Sequence, residues 1–369
     1  MSEATTRRAP RRTRTYLSID YDKREHAKRH GGLWDKTRQK WYVLGDVPAE
    51  LLNYVDAAAS AAGALADLKR TDAPRATPVL RTPPSSDRQT DLFVHGLYDV
   101  STKDAQSVMD VAVFRLSKKD KRAGEVIRHE LPDGYVEVSS GPAGMASVWD
   151  YDIVLMAVSH LADAMNQYRA GKGSGMPSRM FRPHASDILK FCRRGDGGKQ
   201  ASMLEGALDR LKTTNVKIVR STTLEDGEPG RSAESQGLIS DYRIVSSTSS
   251  GRIGVLEIEI PRWIYAEVTR SEKPGILTVS DDYFLIEPGI GRFLYRLARR
   301  AAGTSQAKWS FRLIYERSAS TGTLKKFTEN LRKLIAEDCL PEYSMAEEAG
   351  KEGPLLVMTY RTAPKQVGP

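Results

Sequence analysis

Apolar residues recur at helical spacing in two stretches of the chain that lie 123 residues apart. In Lys199–Lys212 and in Thr323–Glu337 they fall on one side of a helix drawn at 100° per residue. The matching positions are Leu204, Leu208 and Leu211 in the first stretch and Phe327, Leu331 and Leu334 in the second. Met203 and Ala207 extend the first stripe. The spacing predicts two helices that each bury one side, and the constant offset indicates a duplicated domain.

Shorter apolar runs, bounded by turn residues, predict the elements around the first helix. In chain order they are strands at Phe93–Val100, Val113–Leu116, Val126–Glu130 and Tyr135–Ser139, a helix at Asp152–Tyr168, a strand at Met180–Phe181, a helix at Ala185–Arg193, and, after Lys199–Lys212, strands at Val216–Arg220, Leu238–Val245 and Ile253–Ile260. Residues 227–235 and Ser246–Gly251 are predicted as loops of the closing ribbon. Three helices followed by a β-ribbon is the order of a winged helix.

The same order recurs near the C-terminus. The predicted elements are a helix at Ile290–Ala302, a strand at Trp309–Phe311, a short helix at Ile314–Arg317, the helix Thr323–Glu337, and strands at Tyr343–Met345 and Leu355–Tyr360. The predicted fold class is therefore α+β, with two tandem winged-helix domains at residues 91–270 and 271–369.

A small α/β module is predicted to precede these domains. Residues 1–14 form a disordered basic arm, residues 15–70 form the module with an alanine-rich helix at Pro48–Lys69, and residues 71–90 form a Pro-rich linker. The module contains a strand at Tyr16–Ile19, a helix at Lys23–Arg29 and a hairpin through Trp34 and Trp41. These tryptophans either form the core of the module or stack on bases.

Charge favours an anionic partner. The net charge is +9 and the pI is about 9.3, and residues 1–45 alone hold twelve basic and five acidic residues. The sequence has no run of about 18 apolar residues, which excludes a membrane span, and its N-terminus lacks the apolar region of a secretory signal. Cys192 and Cys339 match no metal-ligand spacing. These features favour a cytoplasmic protein with reduced thiols.

The helix at Thr323–Glu337 fits a DNA recognition helix. Its outward side carries Lys325, Lys326, Arg332 and Lys333, with Asn330 at the edge, and Thr321 or Thr323 caps its start. The alternative is an ordinary solvated surface helix.

The first helix carries the acidic residues Glu205 and Asp209 on the corresponding side, which repel phosphates. We therefore expect the second unit to read the sequence and the first to reach the DNA backbone through Lys217, Arg220 and Arg252. The arm adds the phosphate-contacting residues Arg7, Arg8, Arg11, Arg12 and Arg14.

Catalytic motifs are absent from the sequence. No two histidines stand two residues apart, as the metal pair of a rolling-circle initiator requires. The Gly197–Gln200 stretch lacks the first glycine and the Ser/Thr of a phosphate loop. His26 and His30 are spaced as a metal pair without further ligands nearby, so solvent or phosphate contact is favoured. We expect neither an enzyme nor a bound metal or cofactor.

Several phrases resemble the replication initiator protein A family of bacterial plasmids. They include DLFVHGLYDV (91–100), VFRLSKK (113–119), SVWDYDIVL (147–155), DYFLIEP (282–288) and RFLYRLARR (292–300). The stretch Ser271–Gly275 departs from the family where an uninterrupted helix-to-strand transition is expected. The N-terminal module lies outside this resemblance. Through Trp34-Asp35 and the run Lys40–Val43, it resembles a small uncharacterised module of plasmid primases and other DNA-processing proteins.

The family resemblance implies a plasmid-associated bacterial initiator that binds double-stranded DNA repeats (iterons) in a plasmid origin. It also implies opening of an adjacent AT-rich segment and recruitment of host replication initiation proteins and the replicative helicase. A homodimer in equilibrium with monomer is a further implication. Two other interpretations stay open: a winged-helix autorepressor without an origin-melting role, and an accessory role of the N-terminal module in conjugative DNA processing.

Overall fold

The computed structural model describes residues 14–35, 39–56, 79–82, 100–172, 175–195, 198–223, 228–245, 254–270 and 273–361. Side chains are described at these positions except at 14, 21, 198–202 and 223. The arm up to residue 13, the alanine-rich stretch from residue 57 onward, most of the linker and the strand predicted at 93–99 lie outside the described residues. The chain divides into two compact units, residues 1–76 and 77–369.

The N-terminal unit contains the predicted strand, helix and hairpin. Its elements are β1 (Arg14–Leu17), α1 (Arg24–Arg29), β2 (Leu33–Asp35) and β3 (Lys40–Leu44), with β3 central in an antiparallel sheet. The prediction of an α-helix from Pro48 is wrong over the described residues. A 3-10 helix spans Ala49–Tyr54, and the Asp56 N–H then donates to the Tyr16 carbonyl. The chain returns to the edge of β1 because this pairing gives backbone N–H and carbonyl groups of β1 hydrogen-bond partners. A helix that continued past Tyr54 would leave those groups unpaired.

The first winged helix has the predicted order. Its elements are α2 (Asp152–Arg169), β7 (Met180–Phe181), α3 (Ala185–Phe191), α4 (Gly198–Thr213), β10 (Asp241–Ile244) and β11 (Leu256–Glu259). β11 lies between β10 and β7 in an antiparallel sheet. The Leu238–Val245 strand is shorter than predicted, since Leu238 and Ile239 turn into the core before β10 begins.

Two strands inserted between α4 and β10 join two strands that precede α2 in a four-stranded sheet. The sheet is formed by β5 (Val126–Leu131), β6 (Gly134–Ser139), β8 (Asn215–Thr223) and β9 (Pro229–Gly237), in the order β5-β6-β8-β9. The prediction of a loop at 227–235 is therefore wrong: β9 pairs along its whole length with β8. Lys217 and Arg220 lie on β8, in this inserted sheet and not in the ribbon of the winged helix. The strands that form the ribbon are β10 and β11.

The second winged helix repeats the order without an insertion. Its elements are α6 (Gly289–Ala301), β13 (Gln306–Ser310), α7 (Phe311–Arg317), α8 (Leu324–Glu337), β14 (Tyr343–Gly350) and β15 (Gly353–Tyr360), with β15 between β13 and β14. Phe311 starts a helix, where the sequence predicts a strand, because Ser310 caps it: the Ser310 hydroxyl accepts a hydrogen bond from the Leu313 N–H.

Two elements between the winged helices were not predicted. Helix α5 (Arg262–Thr269) follows β11, and β12 (Ile276–Thr278) pairs antiparallel with β4 (Lys103–Ala105). The segment Val113–Leu116, predicted as a strand, is irregular. It is almost completely enclosed, and its N–H and carbonyl groups bond to other loops, as the Arg115 N–H does to the Ala146 carbonyl. A run of apolar residues that is buried on all sides carries no signature of one element type.

One hydrophobic core runs through both winged helices. The six apolar positions of the two predicted stripes are buried, whereas Met203 is 56% exposed, so its placement in the stripe was wrong. Buried ion pairs join α6 to the first half of the chain: Arg292 Nη1 lies 2.6 Å from Asp152 Oδ1, and Arg296 Nε lies 2.6 Å from Asp104 Oδ2. The α+β fold class is confirmed.

Candidate nucleic-acid interface

Helix α8 is fixed at both ends and along its buried side. The Thr323 hydroxyl accepts a hydrogen bond from the Lys326 N–H at 3.3 Å, which caps the first turn. Asp338 ends the helix in the left-handed conformation and accepts a hydrogen bond from the Met345 N–H at the start of β14. Phe327 and Leu331 are buried. The outer face is therefore presented on a rigid support.

That outer face carries all five predicted contact residues of the helix. Lys325, Lys326, Asn330, Arg332 and Lys333 are exposed. Lys326 forms an ion pair with Glu329 at 3.1 Å. Within the described part of the chain, Lys325 and Lys333 have no ion-pair partner, so these two ammonium groups are available to phosphates or base edges.

Arg332 has a second task. Its guanidinium makes a bidentate contact with Glu347 on β14, with the shortest distances at 2.8 and 2.9 Å. This hydrogen-bonded pairing raises the pKa of Arg332 and lowers the pKa of Glu347. Arg332 thus ties the helix to the ribbon, and a contact to DNA competes with that role.

The two predicted threonines differ. Thr323 is occupied as the helix cap. Thr321 is exposed and lies with Asn330 on the lining of a surface pocket of about 300 Å³. The opposite wall of this pocket includes Ser117, Asp120 and Arg122.

The comparable helix of the first winged helix, α4, has an acidic outer side. Glu205 and Asp209 are exposed. The Tyr242 hydroxyl on β10 donates to Asp209 at 2.5 Å, and burial together with this hydrogen bond raises the pKa of Tyr242 to about 12. Lys212 Nζ lies 2.6 Å from Asp241. Asp209 and Lys212 therefore hold the helix to its ribbon, as Arg332 does in the second unit.

The remaining predicted contacts are not brought together with α8 by any described contact. Arg220 pairs with Asp133 at the edge of the inserted sheet, and Lys217 stands opposite Glu137 on the neighbouring strand. Arg14 belongs to β1 of the N-terminal unit. Arg7, Arg8, Arg11, Arg12 and Arg252 lie outside the described residues.

The two tryptophans of the N-terminal unit have different environments. Trp41 is 8% exposed and belongs to the core, as the core interpretation predicts. Trp34 is 47% exposed and meets Trp41 edge-on, with ring centroids 5.4 Å apart. His26 and His30 also lie close, with ring centroids 4.5 Å apart, and His30 Nδ1 lies 2.9 Å from the His26 carbonyl. Among the described residues, no group of three or more His, Cys, Asp or Glu is arranged to hold a metal.

One basic loop was missed by the sequence prediction of the site. Residues 117–122, with the sequence SKKDKR, lie against the turn that precedes α8, and Arg122 Nη1 donates to the Ala319 carbonyl at 2.6 Å. The concentration of lysine and arginine in this loop was the available signal. Within the described residues, no helix combines the length and apolar character that crossing a membrane requires.

The fold and this site define a tandem winged-helix protein with one basic, well-supported helix in its second unit. The model of the family described as Replication initiator protein A matches residues 103–345, and the chain belongs to that family. A second match, to a domain of unknown function (DUF5710), covers residues 14–53. The N-terminal unit is thus a separate module attached to a replication initiator.

One protein and two solved structures are similar to large parts of this chain. A protein of Wigglesworthia glossinidia brevipalpis described as "Putative replication protein" is 28% identical over 239 residues, which cover 64% of this chain and 82% of the relative. Two crystal structures of domains 2 and 3 of RctB cover 70% of this chain and 99% and 97% of their own chains. Their TM-scores are 0.47 and 0.46, at 13% and 14% identity.

Proposed function

We propose that this protein initiates plasmid replication by binding repeated sequences in the plasmid origin with α8. The observation that carries this proposal is the outer face of α8, on which Lys325, Lys333 and Asn330 are exposed above a buried stripe. Lysine pairs with guanine O6 and N7, and asparagine pairs with adenine N6 and N7, in the major groove. The proposed role is non-enzymatic: bound protein opens an adjacent AT-rich segment and recruits host replication initiation proteins and the replicative helicase.

Two further parts of the proposal concern assembly. The protein exchanges between a homodimer and a monomer, and the monomer is the form that occupies the repeats at an origin.

A protein that only represses its own gene would bind without opening the duplex. Permanganate reactivity of thymines in the DNA next to the repeats separates these roles, since only an initiator makes them reactive.

Base reading by α8 predicts a loss of specificity on alanine substitution. Lys326→Ala and Asn330→Ala are each expected to lower the ratio of repeat-DNA to random-DNA affinity by roughly tenfold or more, because each removes a base-edge contact. Lys326 makes this contact by exchanging its solvent-exposed ion pair with Glu329 for the base. Competition gel shifts on the origin repeat give this ratio.

Glu205→Ala, on the comparable side of α4, is the matched control and is expected to leave the ratio unchanged. Asp209→Ala tests the same side but also removes the acceptor of Tyr242. If Glu205→Ala abolishes discrimination while Lys326→Ala and Asn330→Ala preserve it, then α4 reads the sequence and our assignment of the two helices is reversed.

The arginine arm is expected to strengthen binding to any DNA. Replacing Arg7, Arg8, Arg11 and Arg12 by glutamine removes up to four phosphate contacts. The slope of log affinity against log salt should then become shallower by as much as about 4, with the specificity ratio retained. Salt titrations on repeat and random duplexes measure both quantities. An unchanged slope would contradict a phosphate-binding role for the arm.

A further inference from the structure

The turn before α8 and the basic loop 117–122 form the two walls of the surface pocket. The Ala112 N–H donates to the Arg317 carbonyl at 2.9 Å, and Arg122 donates to the Ala319 carbonyl at 2.6 Å, which holds the walls at a fixed separation. The volume between them is about 300 Å³. Hydroxyl and amide groups from Thr321 and Asn330 line the wall on the side of α8.

The loop itself is held rigidly. The Met145 N–H donates to the Lys121 carbonyl at 2.8 Å. Gly144 has a φ of +94°, and an added Cβ at this glycine would lie 2.6 Å from the same carbonyl oxygen. The close approach of these two backbones therefore requires glycine, and it fixes the direction in which the loop presents its side chains.

Two lysines of the loop are available for a ligand. Lys118 is engaged, since its Nζ lies 3.0 Å from Glu287 and 4.6 Å from the centroid of the Trp149 ring. Asp120, the acidic residue of the loop, accepts a hydrogen bond from the Arg122 N–H. Lys119 and Lys121 are exposed, and within the described residues neither has an ion-pair partner. The loop therefore presents two exposed lysines beside α8, against the single carboxylate of Asp120.

We propose that this loop acts as a clamp for the DNA backbone, in which Lys119 and Lys121 pair with phosphates of the strand that borders the groove entered by α8. The inference rests on the proposed function, because it takes its ligand from the position of α8. Two exposed lysines on a rigid loop beside α8 suit phosphate oxygens, which contribute affinity and register but carry no base identity.

The test is the double variant Lys119→Ala/Lys121→Ala in the full chain. Its affinity for DNA is expected to fall roughly five- to thirtyfold at about 0.15 M salt, the range for the loss of one or two phosphate contacts. The log–log salt slope should become shallower by about 1–2. Both changes should be equal on repeat and random duplexes. The matched control, Lys172→Ala/Lys273→Ala, removes the same charge from exposed positions after α2 and before β12, and should bind as the wild type does.

Ethylation interference locates the contact. In the wild type, ethylating particular phosphates beside the repeat should block binding, and the double variant should become insensitive at those positions. Wild-type affinity and slope in the double variant would overturn the clamp, as would an equal loss in the control. Competition by inorganic phosphate beyond its ionic-strength effect would also overturn it, since the pocket would then bind a small free anion.

The clamp and the proposed function fail in different ways. Wild-type protein that prefers no repeat over random DNA, but loses salt dependence in the double variant, would overturn origin recognition and support the clamp. A double variant that loses discrimination as Asn330→Ala does would overturn the clamp and support base reading in this region. Absence of any DNA binding by the wild type would overturn both.

Discussion

Asp104→Ala is expected to lower the free energy of unfolding by about 3–5 kcal/mol. Asp104 and Arg296 are both 0% exposed, and their side chains meet at 2.6 Å. Tyr151 also donates its hydroxyl hydrogen to Asp104 at 3.0 Å. Removing the carboxylate leaves a buried guanidinium without a counter-charge, and a buried phenol loses its acceptor.

The environment of Arg296 makes this loss severe. Within the described residues, its Nη1 and Nη2 atoms have no hydrogen-bond acceptor, and the guanidinium instead lies 4.8 Å from the ring centroids of both Phe114 and Tyr151. Asp104 is therefore the main source of charge compensation. Urea unfolding followed by circular dichroism measures the change.

A double variant, Asp104→Leu/Arg296→Met, is the informative control. It removes both charges together and is expected to be more stable than Asp104→Ala alone, because no uncompensated charge stays in the core. If the double variant is less stable than Asp104→Ala, the cost comes from lost packing and not from an orphaned charge.

Leu331→Ala is expected to cost about 2–5 kcal/mol, through the cavity it opens behind α8. Leu331 is 0% exposed, between Phe327 and Leu334 on the buried side of the helix. Helix α8 packs against α7 and β14, and these separate elements can close the cavity only in part. Thermal melting measures the loss, and DNA binding should decline with the folded fraction.

Lys333→Ala is the control that distinguishes a residue that contacts DNA from one that stabilises α8. Lys333 is two residues away on the exposed face, and its substitution should weaken DNA binding without changing the melting temperature. A Leu331→Ala protein that melts as the wild type does would contradict the packing that we describe for α8.

The predicted stripes were right, except at Met203, because they depend on local periodicity. Leu204, Leu208 and Leu211 have one helical spacing, and each is buried. The inserted strand β9 was missed because its sequence, PGRSAESQG, has no apolar alternation and is mostly exposed. It is a strand because the edge of β8 supplies hydrogen-bond partners along its whole length, and β8 is itself held in the sheet by β6, which is distant in sequence.

The candidate site was predictable only in part, for a similar reason. The composition of α8 shows which side faces outward, so Lys325 and Asn330 could be named. That Arg332 is held by Glu347, and that the loop at 117–122 lies against Ala319, depends on contacts across 15 and 197 residues of chain. The pattern of residues in either segment does not indicate which distant residue it contacts.

The buried pairs between α6 and the first half of the chain also fix how the two winged helices are placed. Arg292 and Arg194 hold the two oxygens of Asp152, and the Arg292–Asp152 pair, which is shielded from water, joins the first helices of the two winged helices. Under the proposed function, this fixed spacing sets the distance between two contact sites on the double helix. If both winged helices touch the origin, inserting about five base pairs between their footprints turns one footprint to the far side of the duplex. Full-length protein should then keep one footprint and release the other.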